Sequence, residues 1–125
     1  MTGQSAPLII AAVDDDQRVL ESLGELLESA DHVARLFGSA KALLESGSLA
    51  EIDCLISDID MPQMDGFELL RAVQAARPGL PIILITGHPS LLGGLPPAGL
   101  GHYRLFKKPF DGQELLKAVS EAVRR

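Results

Sequence analysis

Acidic residues stand at the ends of two short apolar segments of this chain. Residues 8–13 are all apolar and run directly into Asp14, Asp15 and Asp16, and the apolar segment 54–57 ends on Asp58. A strand that stops in carboxylates puts negative charge at the carboxyl edge of a sheet, where open α/β folds bind ligands. Clustered carboxylates repel one another unless a cation neutralises them, and oxygen ligands suit Mg²⁺. The pattern therefore predicts an acidic, magnesium-dependent site.

The apolar segments that would position these acids alternate with amphipathic ones. We predict strands at residues 8–13, 33–37, 54–57, 81–86 and 103–106. We predict helices after Asp16, Ser39 and Asp111 and over residues 67–76, because apolar residues recur there at helical spacing. Asp16 and Asp111 are expected to act as N-caps. Alternating strands and helices predict a parallel sheet with right-handed crossovers and helices on both faces.

The segment where a fourth helix should lie, residues 87–101, breaks this alternation. Four glycines and two prolines lie within residues 93–101. Each glycine inside a helix costs ~1 kcal/mol and each proline ~3 kcal/mol relative to alanine. We expect at most one helical turn near residues 90–92, so the fourth helix should be irregular or shortened.

Composition limits the class of protein. A chain of 125 residues, 46% of them hydrophobic, is expected to form one globular domain over residues 1–125. The formal net charge of −6 argues against direct nucleic-acid binding. We expect no membrane span and no signal peptide. The lone Cys54 should be a buried small residue. These three expectations together predict a cytoplasmic location.

Four features fall at the predicted strand ends: the Asp14–Asp15 pair, Asp58, Thr86 and Lys108, which precedes Pro109. Together with segments 58–66, 86–88 and 107–110, and in this order, they closely resemble the receiver domain of two-component response regulators. The resemblance spans essentially the whole chain. It implies a flavodoxin-like (βα)₅ doubly wound sheet with strand order 2-1-3-4-5.

The resemblance also implies roles for individual residues. Asp58 would be the phosphoacceptor, attacking a phosphohistidine or a small phosphodonor to give an acyl phosphate. Lys108 would supply a positive charge to the phosphoryl oxygens, and Thr86 a hydroxyl donor. Mg²⁺ would be held by Asp14, Asp15, Asp58 and the backbone carbonyl of Asp60.

The implied partners are a sensor histidine kinase or a histidine phosphotransfer protein, followed by an output domain or an effector protein. The resemblance is also compatible with a homodimer. It implies a signalling domain that catalyses only its own phosphorylation and dephosphorylation.

One position departs from the family pattern. An aromatic residue commonly lies three positions before the lysine, but here that residue is Leu105. Phe106 is next to it but out of register, because one residue of shift moves a side chain to the other face of the sheet.

The sequence is also compatible with two other functions. One is a small magnesium-dependent phosphatase or phosphotransferase, which would also start from an aspartate at a strand end. The other is a receiver-like binding module that is not phosphorylated, although the presence of Asp15, Asp58, Thr86 and Lys108 argues against it.

Overall fold

A computed structural model describes residues 7–60, 66–87 and 104–123. Five strands and four α-helices lie within these ranges. The strands are β1 (Ile9–Val13), β2 (Val33–Phe37), β3 (Cys54–Asp58), β4 (Ile82–Thr86) and β5 (Arg104–Lys107). The helices are α1 (Gln17–Ser29), α2 (Ala40–Ser46), α3 (Gly66–Ala76) and α4 (Gly112–Val123), with a short 3₁₀ turn at Ser48–Ala50.

The five strands form one sheet in the order β2-β1-β3-β4-β5, with every neighbouring pair parallel. This is the predicted flavodoxin-like order, and it confirms the fold class. The predicted strand ends are correct to within one residue. The difference that matters is at β3, because Asp58 is the last residue of the strand and lies beside Ile85 of β4.

Helices cover both faces of the sheet, as the apolar strands require. On one face Leu43 of α2 and Leu69 and Val73 of α3 pack in a cluster with Ala11 and Val13 of β1. On the other face Leu23 of α1 and Leu115 of α4 pack with Ile10 and Ala12. Strands buried on both sides are typical of parallel sheets, and here β3 and β4 are buried at every residue.

Strand β5 confirms that Leu105 and Phe106 face opposite sides of the sheet. Leu105 lies beside Leu84, whose side chain belongs to the α2–α3 face, whereas Phe106 lies beside Ile85 and packs against the α1–α4 cluster. Leu105 itself is 45% exposed. The expectation for the fourth helix falls on residues outside the described ranges, apart from Gly87, which follows β4.

None of the helices in the described ranges has the length and apolar character needed to cross a lipid bilayer.

The start of α1 depends on a side-chain cap. Asp16 has an extended backbone, and its Oδ1 accepts a hydrogen bond from the backbone N–H of Arg18 at 2.9 Å. This bond satisfies one of the N–H groups that have no partner within the helix. The prediction that Asp16 caps this helix is confirmed.

We expect Asp16→Ala to lower the free energy of unfolding by about 1 kcal/mol, because the capping acceptor is lost. Asp16→Asn is the matched control, since it removes the same charge but keeps an acceptor that caps equally well. Urea denaturation of both variants without Mg²⁺ measures the difference. Equal stabilities for the two variants would mean that the cap contributes nothing.

Candidate functional site

The carboxyl ends of β1 and β3 bring three of the predicted acids together. The strands are neighbours, with Val13 beside Ser57, so the residues that follow them meet at one edge of the sheet. Carboxylate oxygens of Asp14, Asp15 and Asp58 all lie within 4.8 Å of one another. Asp14 is 1% exposed and Asp58 4%, while Asp15 is open to solvent.

Lys108 joins this group from the loop after β5. Its backbone N–H donates to the carbonyl oxygen of Thr86 at 2.7 Å, which ties the start of the loop to the end of β4. Its Nζ lies 3.1 Å from Oδ2 of Asp14 and 3.5 Å from Oδ1 of Asp58. A single ammonium group therefore lies between the two buried carboxylates.

The surroundings of Asp58 disfavour the charged form of its carboxyl group. Burial and the nearby charge of Asp14 raise the pKa of Asp58 from 3.8 to about 6, although Lys108 and the N–H of Asp60 act in the opposite direction. Burial alone would lower the pKa of Lys108, but its hydrogen bond and charge contacts with Asp14 and Asp58 raise it above its usual value. Three carboxyl groups, those of Asp14, Asp15 and Asp58, thus lie close to a single ammonium group.

Hydrogen bonds orient the two buried carboxylates. Oδ1 of Asp14 accepts from the backbone N–H of Asp16 at 2.9 Å, and Oδ1 of Asp58 accepts from the backbone N–H of Asp60 at 3.3 Å. The Lys108 ammonium also approaches Asp58 at Oδ1. Within the described ranges, the hydrogen bond and the ion pair of the Asp58 carboxylate thus both go to Oδ1, and neither involves Oδ2.

Thr86 is at the same edge of the sheet and is fully buried. Its hydroxyl donates to Oδ2 of Asp60 at 3.0 Å. The sequence placed Thr86 at a strand end beside the acids, but it did not reveal this partner. The sequence did indicate that the two residues are near each other, since Asp60 follows β3 by two residues and Thr86 ends the strand next to β3. It could not predict their hydrogen bond, because the direction of a loop side chain follows no sequence periodicity.

The donor set fits a hard divalent cation. Asp14, Asp15 and Asp58 offer oxygen atoms alone, which are the ligands that Mg²⁺ takes, and their mutual repulsion is relieved when a cation binds. Thiol chemistry has no place here, because burial raises the pKa of Cys54 to about 12 and the residue lies inside β3.

Comparison with known proteins gives one consistent family. The model of the response regulator receiver domain family matches residues 10–120. The chain is 34% identical to the transcriptional regulatory protein FixJ of Bradyrhizobium diazoefficiens over 93% of its own length and 57% of that protein. It is also 34% identical to the response regulator protein TodT of Pseudomonas putida, covering 51% of it. The chain spans about half the length of these relatives.

Solved structures agree with the sequence matches. A response regulator receiver domain protein from Clostridium thermocellum superposes with a TM-score of 0.85 at 26% identity, covering 94% of this chain and 95% of that one. Full-length FixJ from B. japonicum superposes with a TM-score of 0.82 at 33% identity, covering 96% of this chain and 59% of that one.

The raised pKa of Asp58 predicts an effect on stability in the absence of Mg²⁺. A carboxyl group whose pKa is higher in the folded state stabilises the fold below about pH 4, and it loses this contribution as the pH rises through about 6. We therefore expect Asp58→Asn to be more stable than the wild type by about 1–3 kcal/mol at pH 7, and the gain should disappear near pH 4.

Urea denaturation in a chelator between pH 4 and pH 7 measures this difference. Glu25→Gln, which removes one charge from the exposed face of α1, serves as the control and should show no comparable dependence on pH. A constant difference between Asp58→Asn and wild type across the range would contradict the prediction.

Proposed function

We propose, given that the chain belongs to the response regulator receiver domain family and takes part in phosphorelay signalling, that Asp58 is its phosphoacceptor. The donor would be the phosphohistidine of a sensor histidine kinase or of a histidine phosphotransfer protein. The observation that carries the proposal is the geometry at Asp58. This buried carboxylate is held at Oδ1 by Lys108 and the N–H of Asp60, with Oδ2 left to react.

In the transfer step, Oδ2 of Asp58 forms a bond to phosphorus while the bond between phosphorus and the imidazole nitrogen breaks. The electron pair of that bond stays on the imidazole, and the product is an acyl phosphate. The main obstacle is repulsion between the carboxylate and the phosphoryl oxygens. Lys108 opposes it with a positive charge that is already in position before the phosphoryl group arrives.

A cation is needed as well, because one ammonium group cannot balance the carboxylates and an incoming phosphoryl group. We assign Mg²⁺ to Asp14, Asp15, Asp58 and the backbone carbonyl of Asp60. When bound, it would supply positive charge to the carboxylate and phosphoryl oxygens. The role of Asp14 and Asp15 is to hold that charge beside Asp58, and the N–H of Asp16 keeps Asp14 oriented for it.

The receiver would act within a larger pathway. This chain covers 57% of FixJ, which is named as a transcriptional regulatory protein, and 51% of TodT, which is named as a response regulator protein. We propose that residues 1–125 form the receiver domain, that it works in the cytoplasm, and that its phosphorylated form acts on an output domain, an effector protein or a second copy of itself. In this role it catalyses only its own phosphorylation and dephosphorylation. The family match does not favour a small phosphatase or an unphosphorylated binding module.

Incubation with acetyl phosphate and Mg²⁺ tests the assignment of Asp58. We expect the wild type to gain the mass of one phosphoryl group and Asp58→Asn to gain none, because an amide is not a usable nucleophile. Asp16→Asn is the control, since it neutralises a neighbouring acid that has no role in the transfer and should still accept the group. Intact-mass spectrometry gives the result, and a phosphoryl adduct on Asp58→Asn would show that another residue is the acceptor.

A further inference from the structure

The hydrogen bond between Thr86 and Asp60 joins the residue that the resemblance implies as a hydroxyl donor to the phosphoryl group and the residue whose backbone carbonyl we assign to Mg²⁺. Oγ1 of Thr86 donates to Oδ2 of Asp60 at 3.0 Å, and the backbone N–H of Asp60 donates to Oδ1 of Asp58 at 3.3 Å. Asp60 is exposed, whereas Thr86 is fully buried. An exposed carboxylate thus reaches inward to the hydroxyl at the end of β4.

The Thr86 hydroxyl has one proton to donate. A hydroxyl that donates to the Asp60 carboxylate cannot give the same proton to a phosphoryl oxygen on Asp58. The backbone of Thr86 is held in β4 and by its bond to Lys108, so the hydroxyl changes partner mainly by rotation about χ1. Staggered χ1 positions make this a choice between discrete states.

We propose that Asp60 is a positioning residue that holds the Thr86 hydroxyl in the unphosphorylated protein and so opposes the phosphorylated state. The inference rests on the proposed role of Asp58 and on the hydroxyl donor role that the family resemblance implies for Thr86. Hydrogen bonds to a charged acceptor are stronger than those between neutral groups, so the bond favours the state in which it is made. Phosphorylation must break this bond before Thr86 can contact the phosphoryl group, which lowers the population of the switched state.

The charge of Asp60 offers a simpler explanation for any effect of its removal. A carboxylate close to Asp58 repels an anionic phosphoryl group whether or not it contacts Thr86. The two explanations differ in their dependence on the Thr86 hydroxyl. Repulsion persists when that hydroxyl is removed, whereas competition between the Asp60 carboxylate and the phosphoryl group for its proton does not.

A double-mutant cycle separates them. The affinity for beryllofluoride, a phosphoryl mimic, is measured with Mg²⁺ for the wild type, Asp60→Ala, Thr86→Val and the double variant. Valine has nearly the shape of threonine but no hydroxyl. We expect Asp60→Ala to bind the mimic roughly 3- to 10-fold more tightly than wild type, and the same change in the Thr86→Val background to alter the affinity by less than about twofold.

An equal gain in both backgrounds would assign the effect to charge and overturn the proposal. Unchanged or weaker binding by Asp60→Ala would overturn it as well. Asp60→Asn adds a graded case, because it keeps an acceptor for the hydroxyl without the charge. Its affinity should lie between those of wild type and Asp60→Ala.

A second measurement uses the free protein, with neither Mg²⁺ nor beryllofluoride. Three-bond NMR couplings report χ1 of Thr86, and we expect the population of the wild-type rotamer to be kept in Asp60→Asn and to fall in Asp60→Ala. An unchanged rotamer population in Asp60→Ala would contradict the proposal. Failure of the wild type to bind beryllofluoride would instead contradict the proposed function, and the rotamer result would still decide whether Asp60 holds Thr86.

Discussion

The ammonium group of Lys108 lies 3.1 Å from a carboxylate oxygen of Asp14 and 3.5 Å from one of Asp58, and both acids are almost fully buried. Burying two carboxylates side by side is costly unless opposite charge is close. The parallel sheet imposes this crowding, since β1 and β3 are neighbours, Asp14 follows β1 directly and Asp58 ends β3. The same sheet also positions the compensating positive charge, because β5 and the hydrogen bond from the Lys108 N–H to the Thr86 carbonyl bring the lysine to the same edge. One ammonium does not neutralise three carboxylates, and we propose that the remaining negative charge attracts a cation.

Much of this could be predicted from the sequence for a simple physical reason. Apolar runs that are buried on both faces must be central parallel strands, and such strands end at a common edge. Acids at the ends of two runs therefore had to converge, as Asp14 and Asp58 do. The cap at Asp16 was predictable because the interaction is local. The strand order followed from the resemblance to receiver domains, and the sheet confirms it.

The contact between Asp60 and Thr86 could not be predicted in the same way. It joins a loop side chain to a residue 26 positions away, and neither strand nor helix periodicity specifies where a loop side chain points. Position 105 shows the opposite case. The twofold alternation of a strand was enough to predict that Phe106 could not substitute for an aromatic residue there, and Phe106 does pack on the other face. Because Leu105 stands at the aromatic position, we expect structural changes at β4 to reach the loop after β5 mainly through the hydrogen bond from the Lys108 N–H to the Thr86 carbonyl oxygen.

The balance of charge around Asp58 is the central claim, and a direct titration tests it. The carboxyl carbon of Asp58, observed by ¹³C NMR, reports its protonation without any substitution in the protein. We expect a pKa of about 6 for Asp58 in the absence of Mg²⁺, with a clear fall when Mg²⁺ is added, because the cation favours the charged carboxylate. A pKa near the ordinary value of about 3.9 without Mg²⁺, or one that Mg²⁺ leaves unchanged, would contradict it.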